Sequence, residues 1–314
     1  SGSGVATAAG LCFASLGSDT GGSITFPAMS NGVVGLKPTY GRVSRYGVLP
    51  LAESLDHVGP MARRVADVAI VLETIAGFDS NDPTSLAEPV PNMLEGLRGG
   101  VDGVRIGFDR SYATDGVDTG LVASIDAALG ELERLGAQIV EVDMPDFPEN
   151  LVDAWFTICS YEARGVHAGN YPARADDYGP YYREFLEEAA AVTEEAYLEA
   201  VGLRADFSER FRATLSNVDA VVCPAGGIPF PVSSEILYGD MAGFDKVMPH
   251  IQFHFTAPAN FAGTPTISLP CGANQEGVPY TIQFLGRHLA EPILCRIAHA
   301  YEEATEWHTR HPPV

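Results

Sequence analysis

The stretch that most restricts how this chain can fold is Gly17-Ser18-Asp19-Thr20-Gly21-Gly22-Ser23-Ile24. A largely apolar run of strand length, Leu11 to Leu16, precedes it. Adjacent glycines let the backbone fold so that successive N–H groups point into one small space. A strand running into such a turn sets the Ser23 hydroxyl at the rim of a sheet. Donors fixed where negative charge develops form an oxyanion hole, and a serine beside them is a candidate acyl-transfer nucleophile. The plainer reading of Gly-Gly-Ser by itself is a polar turn between strand and helix. Asp19, four residues before Ser23, is read as support for the turn, its carboxylate accepting backbone N–H bonds.

Composition narrows the function classes. The chain has 314 residues, 46% hydrophobic and 19% charged, enough for a large core. Asp and Glu number 41 against 19 Lys and Arg, a net charge of −22. Phosphate contact needs clustered Lys and Arg, so no nucleic-acid partner is expected. No apolar run reaches membrane-spanning length, so no membrane partner is expected either. The five cysteines, Cys12, Cys159, Cys223, Cys271 and Cys295, form no CxxC pair, and four sit in apolar runs. They read as thiols in a reducing cytoplasm. The eight histidines show no metal-ligand spacing with Cys or Asp, so no metal and no cofactor are expected.

Along the chain, Val5 to Gly10 reads as a short helix and Ile24 to Ser30 as the start of a helix or tight turn over the site. Thr39 to Pro50 reads as loop, Val65 to Ala76 as helix, and Asp79 to Gly103 as mostly loop. Val104 to Phe108 and Ala137 to Val142 are strands around a helix capped by Asp118. Trp155 to His167 and Tyr181 to Arg212 read as helical, and Val218 to Cys223 as strand stopped by Pro224. Ser233 to Pro249 reads as loop, and Phe255 to Ala262 as helix. Thr266 to Pro270 and Tyr280 to Leu285 are strands, and Pro292 to Thr305 is the closing helix. Strand–helix–strand alternation predicts an α/β fold, a mixed central β-sheet covered by helices on both faces. No composition break marks a linker, so residues 1–314 are read as a single domain.

Six segments, in order, resemble the amidase signature family. They are Ser1-Gly2-Ser3-Gly4, Ala8-Ala9-Gly10-Leu11, the Gly17–Ile24 stretch, Gly35-Leu36-Lys37-Pro38-Thr39-Tyr40-Gly41-Arg42-Val43-Ser44, Ser54-Leu55-Asp56-His57-Val58-Gly59-Pro60, and Phe255-Thr256-Ala257-Pro258-Ala259-Asn260-Phe261-Ala262-Gly263. The middle, about 100 to 250, matches only loosely. The resemblance implies an amidase with a Ser–cis-Ser–Lys mechanism. The nucleophile maps onto Ser23, and the backbone donors onto Thr20, Gly21, Gly22 and Ser23 itself. The family's cis-serine falls one or two positions before Ser1 and its lysine further upstream, so the chain is read as the C-terminal portion of a longer one. Ser1 and Ser3 are the nearest stand-ins for the relay serine. The lysines present, Lys37 and Lys246, are not in the place of the family's base. Arg42, Asp56 and His57 are read as structural rather than catalytic.

The family includes glutamine-hydrolysing subunits of tRNA-dependent amidotransferases. Those carry an aspartate before the Phe-Thr-x-Pro-x-Asn segment, where this chain has Phe253 or His254. Their arginine after the nucleophile is Thr25 here, their Ser-Gly-Tyr-Tyr-Asp-Ala-Tyr-Tyr segment has no counterpart, and Arg204 stands nearest to their carboxylate-binding arginine. The expected substrate is therefore a small apolar or aromatic carboxamide, contacted by Ile24, Thr25, Trp155, Arg204 and Phe253. Trp155, Tyr161, Tyr181 and Tyr182 are equally readable as helix packing. The alternatives are a non-catalytic relative used for binding and a glutamine-hydrolysing A-type subunit. A homodimer is the assembly this reading admits.

Overall fold

The computed structural model describes residues 2–230 and 251–312. In chain order these form α1 (Gly2–Ala8), β1 (Ala14–Asp19), α2 (Thr25–Asn31), β2 (Val34–Lys37), β3 (His57–Ala62), α3 (Val65–Ile75) and α4 (Met93–Leu97). Next come β4 (Arg105–Phe108), α5 (Arg110–Thr114), α6 (Thr119–Arg134), β5 (Gln138–Glu141), α7 (Glu149–His167), α8 (Pro180–Ala189) and α9 (Glu194–Leu215). The chain closes with β6 (Ala220–Pro224), α10 (Ala257–Ala262), β7 (Thr266–Ala273), β8 (Pro279–Leu285) and α11 (Glu291–Ala304).

Eight strands make one sheet in the order β1-β3-β2-β7-β8-β6-β4-β5. Pairing is antiparallel from β1 across to β6 and parallel from β6 through β4 to β5. The sheet is thus mixed, as expected. The parallel part is the α/β half, whose crossover helix α6 is capped by the Asp118 carboxylate at the N–H groups of Gly120 and Leu121.

Strand alternation divides the core between two faces. Along β7, Ile267 and Leu269 point to one face while Thr266 and Ser268 point to the other. Val34, Leu36, Ile267 and Leu269 belong to a large cluster that also takes Val65, Val68 and Leu72 of α3 and Leu294 and Ala298 of α11. The opposite face carries α1 and α2; Ala8 and Ala28 on these helices, with Ile24 and Val33 flanking α2, pack with Met61. Gly35 leaves α2 room to lie on the sheet, and Gly59 leaves room for the facing backbone of β2. A Cβ at Gly35 would stand 2.7 Å from the Ala28 Cβ, and one at Gly59 would stand 2.2 Å from the Leu36 carbonyl. Ile24 is wholly buried here, a contribution of about 1.5–3 kcal/mol. That burial fixes the exit angle of the chain just after Ser23.

Several elements differ from expectation. The strand anticipated at Leu11 to Leu16 lies instead at Ala14–Asp19. Gly10 at φ 71° and the Leu11 N–H bond to the Ala6 carbonyl turn the chain out of α1, leaving Leu11 and Phe13 79% and 90% exposed. Strand pairing then carries on to Asp19, opposite His57. The stretch 92–103, expected as loop, holds α4, capped by Asn92 and anchored by buried Met93 and Leu97. Strands β2 and β3 were not anticipated, because glycines, Lys37 and Pro60 interrupt their alternation. The loop expected at 233–249, with Lys246 in it, lies outside the described residues.

Candidate active site

Strand β1 ends on Asp19, whose side chain is wholly buried under the turn that follows. Its Oδ1 accepts the Gly22 N–H at 2.7 Å, and its Oδ2 accepts those of Ile24 at 2.7 Å and Thr25 at 3.3 Å. Asn260 on α10 adds a fourth donor, its Nδ2 reaching Oδ1 at 2.9 Å. A carboxylate with charge-assisted bonds on both oxygens fixes the backbone through the turn. The turn in turn requires glycine. Gly22 has φ 135°, and a Cβ there would fall 2.5 Å from the Phe26 ring.

Four consecutive carbonyls of the turn are held from outside it. Asn260 Nδ2 donates to the Asp19 carbonyl at 3.0 Å, and Trp155 Nε1 to that of Thr20 at 2.9 Å. The Thr256 hydroxyl donates to the Gly21 carbonyl at 2.6 Å, and the Phe26 N–H to that of Gly22 at 2.7 Å. In a trans peptide the C=O and N–H point in opposite directions, so holding each carbonyl also aims the next residue's N–H. The Gly22 N–H is thereby aimed at Asp19 and taken up. The N–H groups of Gly21 and Ser23 have no partner among the described residues. Ser23 itself is exposed between buried Gly22 and Ile24. The expected donor set is therefore divided: Gly22 shapes the turn, while the N–H groups of Thr20, Gly21 and Ser23 have no partner among the described residues. Thr20 also anchors the turn, its hydroxyl donating to Asp56 Oδ1 at 2.6 Å.

Below the turn lies a buried polar layer. Lys37 is 1% exposed, and its Nζ donates to the Thr264 carbonyl at 2.5 Å. Burial pulls its pKa down to about 8, against the opposing pull of Asp19 and Glu291. His57 is buried beside it with Nδ1 2.6 Å from the Leu55 carbonyl, and burial, followed by the Lys37 charge, holds its pKa well below the usual imidazole value. Arg42 donates to the carbonyls of Glu88 and Pro89. Burial raises the pKa of Asp56, whose Oδ2 accepts the N–H groups of Leu51 and Ala52. Each of these groups braces loops around the turn.

The remaining sequence candidates fall in different places. Thr25 is buried at the start of α2, and Ile24 lies beneath the turn rather than on its surface. Arg204 is committed to the Ser54 hydroxyl at 2.8 Å and to the carbonyls of Ser54 and Phe261 at 2.7 and 3.1 Å. Ser3 is in α1, where its carbonyl accepts the Thr7 and Ser15 hydroxyls, and Ser1 lies outside the described residues. Trp155 and Phe253 do come together beside the turn, ring centroids 4.9 Å apart, with Phe156 5.0 Å from Trp155. Tyr161 instead stacks on Tyr197, and Tyr182 bonds His167. Among the described residues, His299, Glu302 and Glu303 also bring possible ligand atoms together, but Arg64 stands 3.9 and 3.8 Å from the two carboxylates and Glu302 caps the Val65 N–H. Sequence reasoning assigned no role to Asn260 or Thr256. Both sit in the recognised 255–263 segment, but their partners are more than 230 residues away in sequence.

The sequence pattern of the family described as Amidase matches residues 1–295. The chain is 40% identical to "Putative amidase AmiD" of Mycobacterium tuberculosis over 100% of its own length and 65% of that protein, so it spans less than two thirds of this relative. It is 36% identical to the glutamyl-tRNA(Gln) amidotransferase A-subunit of Thermosynechococcus vestitus, over 100% of the chain and 68% of the relative. The structure of the peptide amidase PAM with the competitive inhibitor chymostatin superposes with a TM-score of 0.80 at 34% identity, over 97% of this chain and 65% of that one.

Proposed function

The chain belongs to the amidase signature family, and from that premise we propose that it carries the nucleophile and oxyanion site of an enzyme that hydrolyses a small, uncharged carboxamide. Ser23 Oγ attacks the amide carbon and gives up its proton to a base. The resulting oxyanion accepts hydrogen bonds from the Gly21 and Ser23 N–H groups. The base passes that proton to the amide nitrogen as the intermediate collapses, so that the C–N bond breaks, ammonia or an amine leaves, and an acyl ester remains on Ser23, which water then cleaves to the carboxylate. The base is assigned to the relay serine and lysine that the family resemblance implies. Among the described residues no side chain bonds the Ser23 hydroxyl, and Lys37 is spent on Thr264.

The observation that carries this reading is the fixed turn. Asp19 collects four donors and outside groups hold four successive carbonyls, while Ser23 stays exposed beside N–H groups that have no partner among the described residues. A plain surface turn needs none of this bracing. The aromatic group Trp155, Phe156 and Phe253 beside Gly21 supports an apolar or aromatic acyl side. Four buried free thiols, at Cys159, Cys223, Cys271 and Cys295, support a reducing, cytoplasmic setting.

The test is turnover of an aryl amide by the full-length protein and its Ser23→Ala variant, with a serine-directed fluorophosphonate as label. Loss of turnover and label with an unchanged melting temperature is expected. A label on another serine would overturn the assignment. The second reading, a glutamine-hydrolysing subunit, has the 36% identical amidotransferase relative in its favour. Ammonia release from glutamine separates the two.

A further inference from the structure

Trp155 sits on α7, far in sequence from the turn, yet its indole touches that turn twice. Its N–H holds the Thr20 carbonyl at 2.9 Å. Its ring occupies the space beside Gly21, where an added Cβ would meet Cε2, Cζ2 and Nε1 at 2.8 Å. Phe253 and Phe156 pack against the same indole, with centroids 4.9 and 5.0 Å away, so its plane is set from behind.

The peptide between Thr20 and Gly21 is the one most open to turning over. Glycine accepts both signs of φ, so a flip before Gly21 meets little steric resistance. A flip would put the Thr20 carbonyl where the Gly21 N–H had been, setting an acceptor rather than a donor against a developing oxyanion. The neighbouring peptides have other locks: Asn260 on the Asp19 carbonyl, Asp19 and Thr256 on the Gly21–Gly22 unit, and the first turn of α2 on the Gly22 carbonyl. For the Thr20–Gly21 unit the indole N–H is the lock among the described residues.

We propose that Trp155 is a positioning residue for acyl transfer: its indole N–H holds the Thr20 carbonyl and so keeps the Gly21 N–H turned away from the indole, free to donate to the oxyanion. This rests on the reading of Ser23 as nucleophile. It gives Trp155 a role separate from any contact with substrate, because the hydrogen bond goes to the enzyme's own backbone.

The experiment replaces Trp155 in the full-length protein by benzothienylalanine, which keeps the ring shape and puts sulfur in place of the N–H. Trp155→Phe is made alongside, as is Ser23→Ala. Kinetics are measured on an uncharged aryl amide. The benzothienyl variant is expected to fold with an unchanged melting temperature, to lose about 10–100-fold in kcat, and to keep KM within about threefold, since a donor needed in the transition state is lost while the pocket wall is not. Trp155→Phe should lose kcat similarly and raise KM as well. An unchanged kcat in the benzothienyl variant, with Ser23→Ala inactive, overturns the role of Trp155 and leaves Ser23 in place. Full turnover by Ser23→Ala overturns the nucleophile reading, whatever Trp155 does.

Discussion

The Nδ2 of Asn260 lies 3.0 Å from the Asp19 carbonyl and 2.9 Å from its carboxylate, so one amide on α10 holds both the end of β1 and the group that shapes the turn after it. Asp19→Asn tests this arrangement. An amide offers one acceptor oxygen where the carboxylate offers two, so the Gly22 and Ile24 N–H groups cannot both keep their partner. Asn also turns its NH2 toward other donors. A buried unsatisfied N–H costs roughly 1–3 kcal/mol, and that lowering of stability should show in denaturant unfolding. Turnover should fall by more than stability explains, because the turn carries Ser23, the proposed nucleophile. Unfolding and activity both at the wild-type level would show that Asp19 does not set the turn.

Gly21→Ala probes the opposite side of the turn. The new methyl would meet the Trp155 ring at 2.8 Å, and the indole is backed by Phe156 and Phe253. Overpacking of this kind costs about 1–3 kcal/mol. Relief by moving the indole would lengthen its bond to Thr20, so kcat should drop at least about tenfold alongside the stability loss. Trp155→Phe in the same chain should recover part of the stability and none of the kcat. Additive stability losses in the double variant would show that the two residues do not press on each other.

Much of this site was readable in the sequence because its strongest constraints are local. Asp19, the glycine pair and Ser23 are within five residues of one another, and their types alone describe an acceptor, a permissive backbone and a nucleophile. The long helix α6 was readable for the same reason, through its periodicity and the Asp118 cap, whereas the mostly helical stretch read over 181–212 breaks into α8 and α9. What escaped was whatever depends on distant packing. Strand β2 looks unlike a strand because Gly35 admits α2 and Lys37 is a cation inside the core, satisfied by a carbonyl 227 residues away. The Trp155 bond to Thr20 spans 135 residues, and nothing in the sequence near either residue announces it. Arg204 read as a ligand for substrate because, in a loosely matched region, it stands nearest to the carboxylate-binding arginine of the glutamine-hydrolysing subunits. The fold supplies Ser54 and Phe261.

Lys37 gives the pH prediction. Burial disfavours its charged form and brings its pKa down to about 8 from an ordinary value of 10.5. Below pH 8 both folded and unfolded chains hold the proton, and the cost of burying the charge is fully present. Between about 8 and 10.5 the unfolded chain binds more protons, so this group's contribution to stability rises with pH. The full span is at most on the order of 3 kcal/mol, at about 1.4 kcal/mol per pKa unit. Lys37→Met removes it. The melting temperature of the variant minus that of wild type should therefore move in the negative direction from pH 7.5 to about pH 10. Taking the difference cancels the opposite trend from the buried thiols of Cys159, Cys223, Cys271 and Cys295, whose pKa values burial pushes up. A difference that is flat across this range would mean that Lys37 does not titrate there.

The proposed substrate choice rests on which charges the residues beside the turn leave available. Glutamine brings an ammonium and a carboxylate, and each must find a partner on leaving water or the desolvation cost dominates. Arg204, the cation expected to meet the carboxylate, already donates to three acceptors. At the position where the glutamine-hydrolysing relatives are expected to carry an aspartate, Phe253 is buried against Trp155 and Phe156, and His254 beside it has its pKa lowered to about 4 by burial. Neither a neutral imidazole nor a phenyl ring supplies the anion that would pair an ammonium. An aryl or arylalkyl amide, by contrast, gains apolar contact worth roughly 1.5–3 kcal/mol per buried group. The full-length protein should therefore show kcat/KM for an uncharged aryl amide at least about tenfold above that for glutamine, since about 1.4 kcal/mol is a factor of ten. Phe253→Leu should lower the aryl value severalfold with little change for glutamine, and Phe253→Asp should narrow the gap further. A wild-type preference for glutamine would mean that the ammonium finds its anion elsewhere, and the glutamine-hydrolysing amidotransferase component would become the better description.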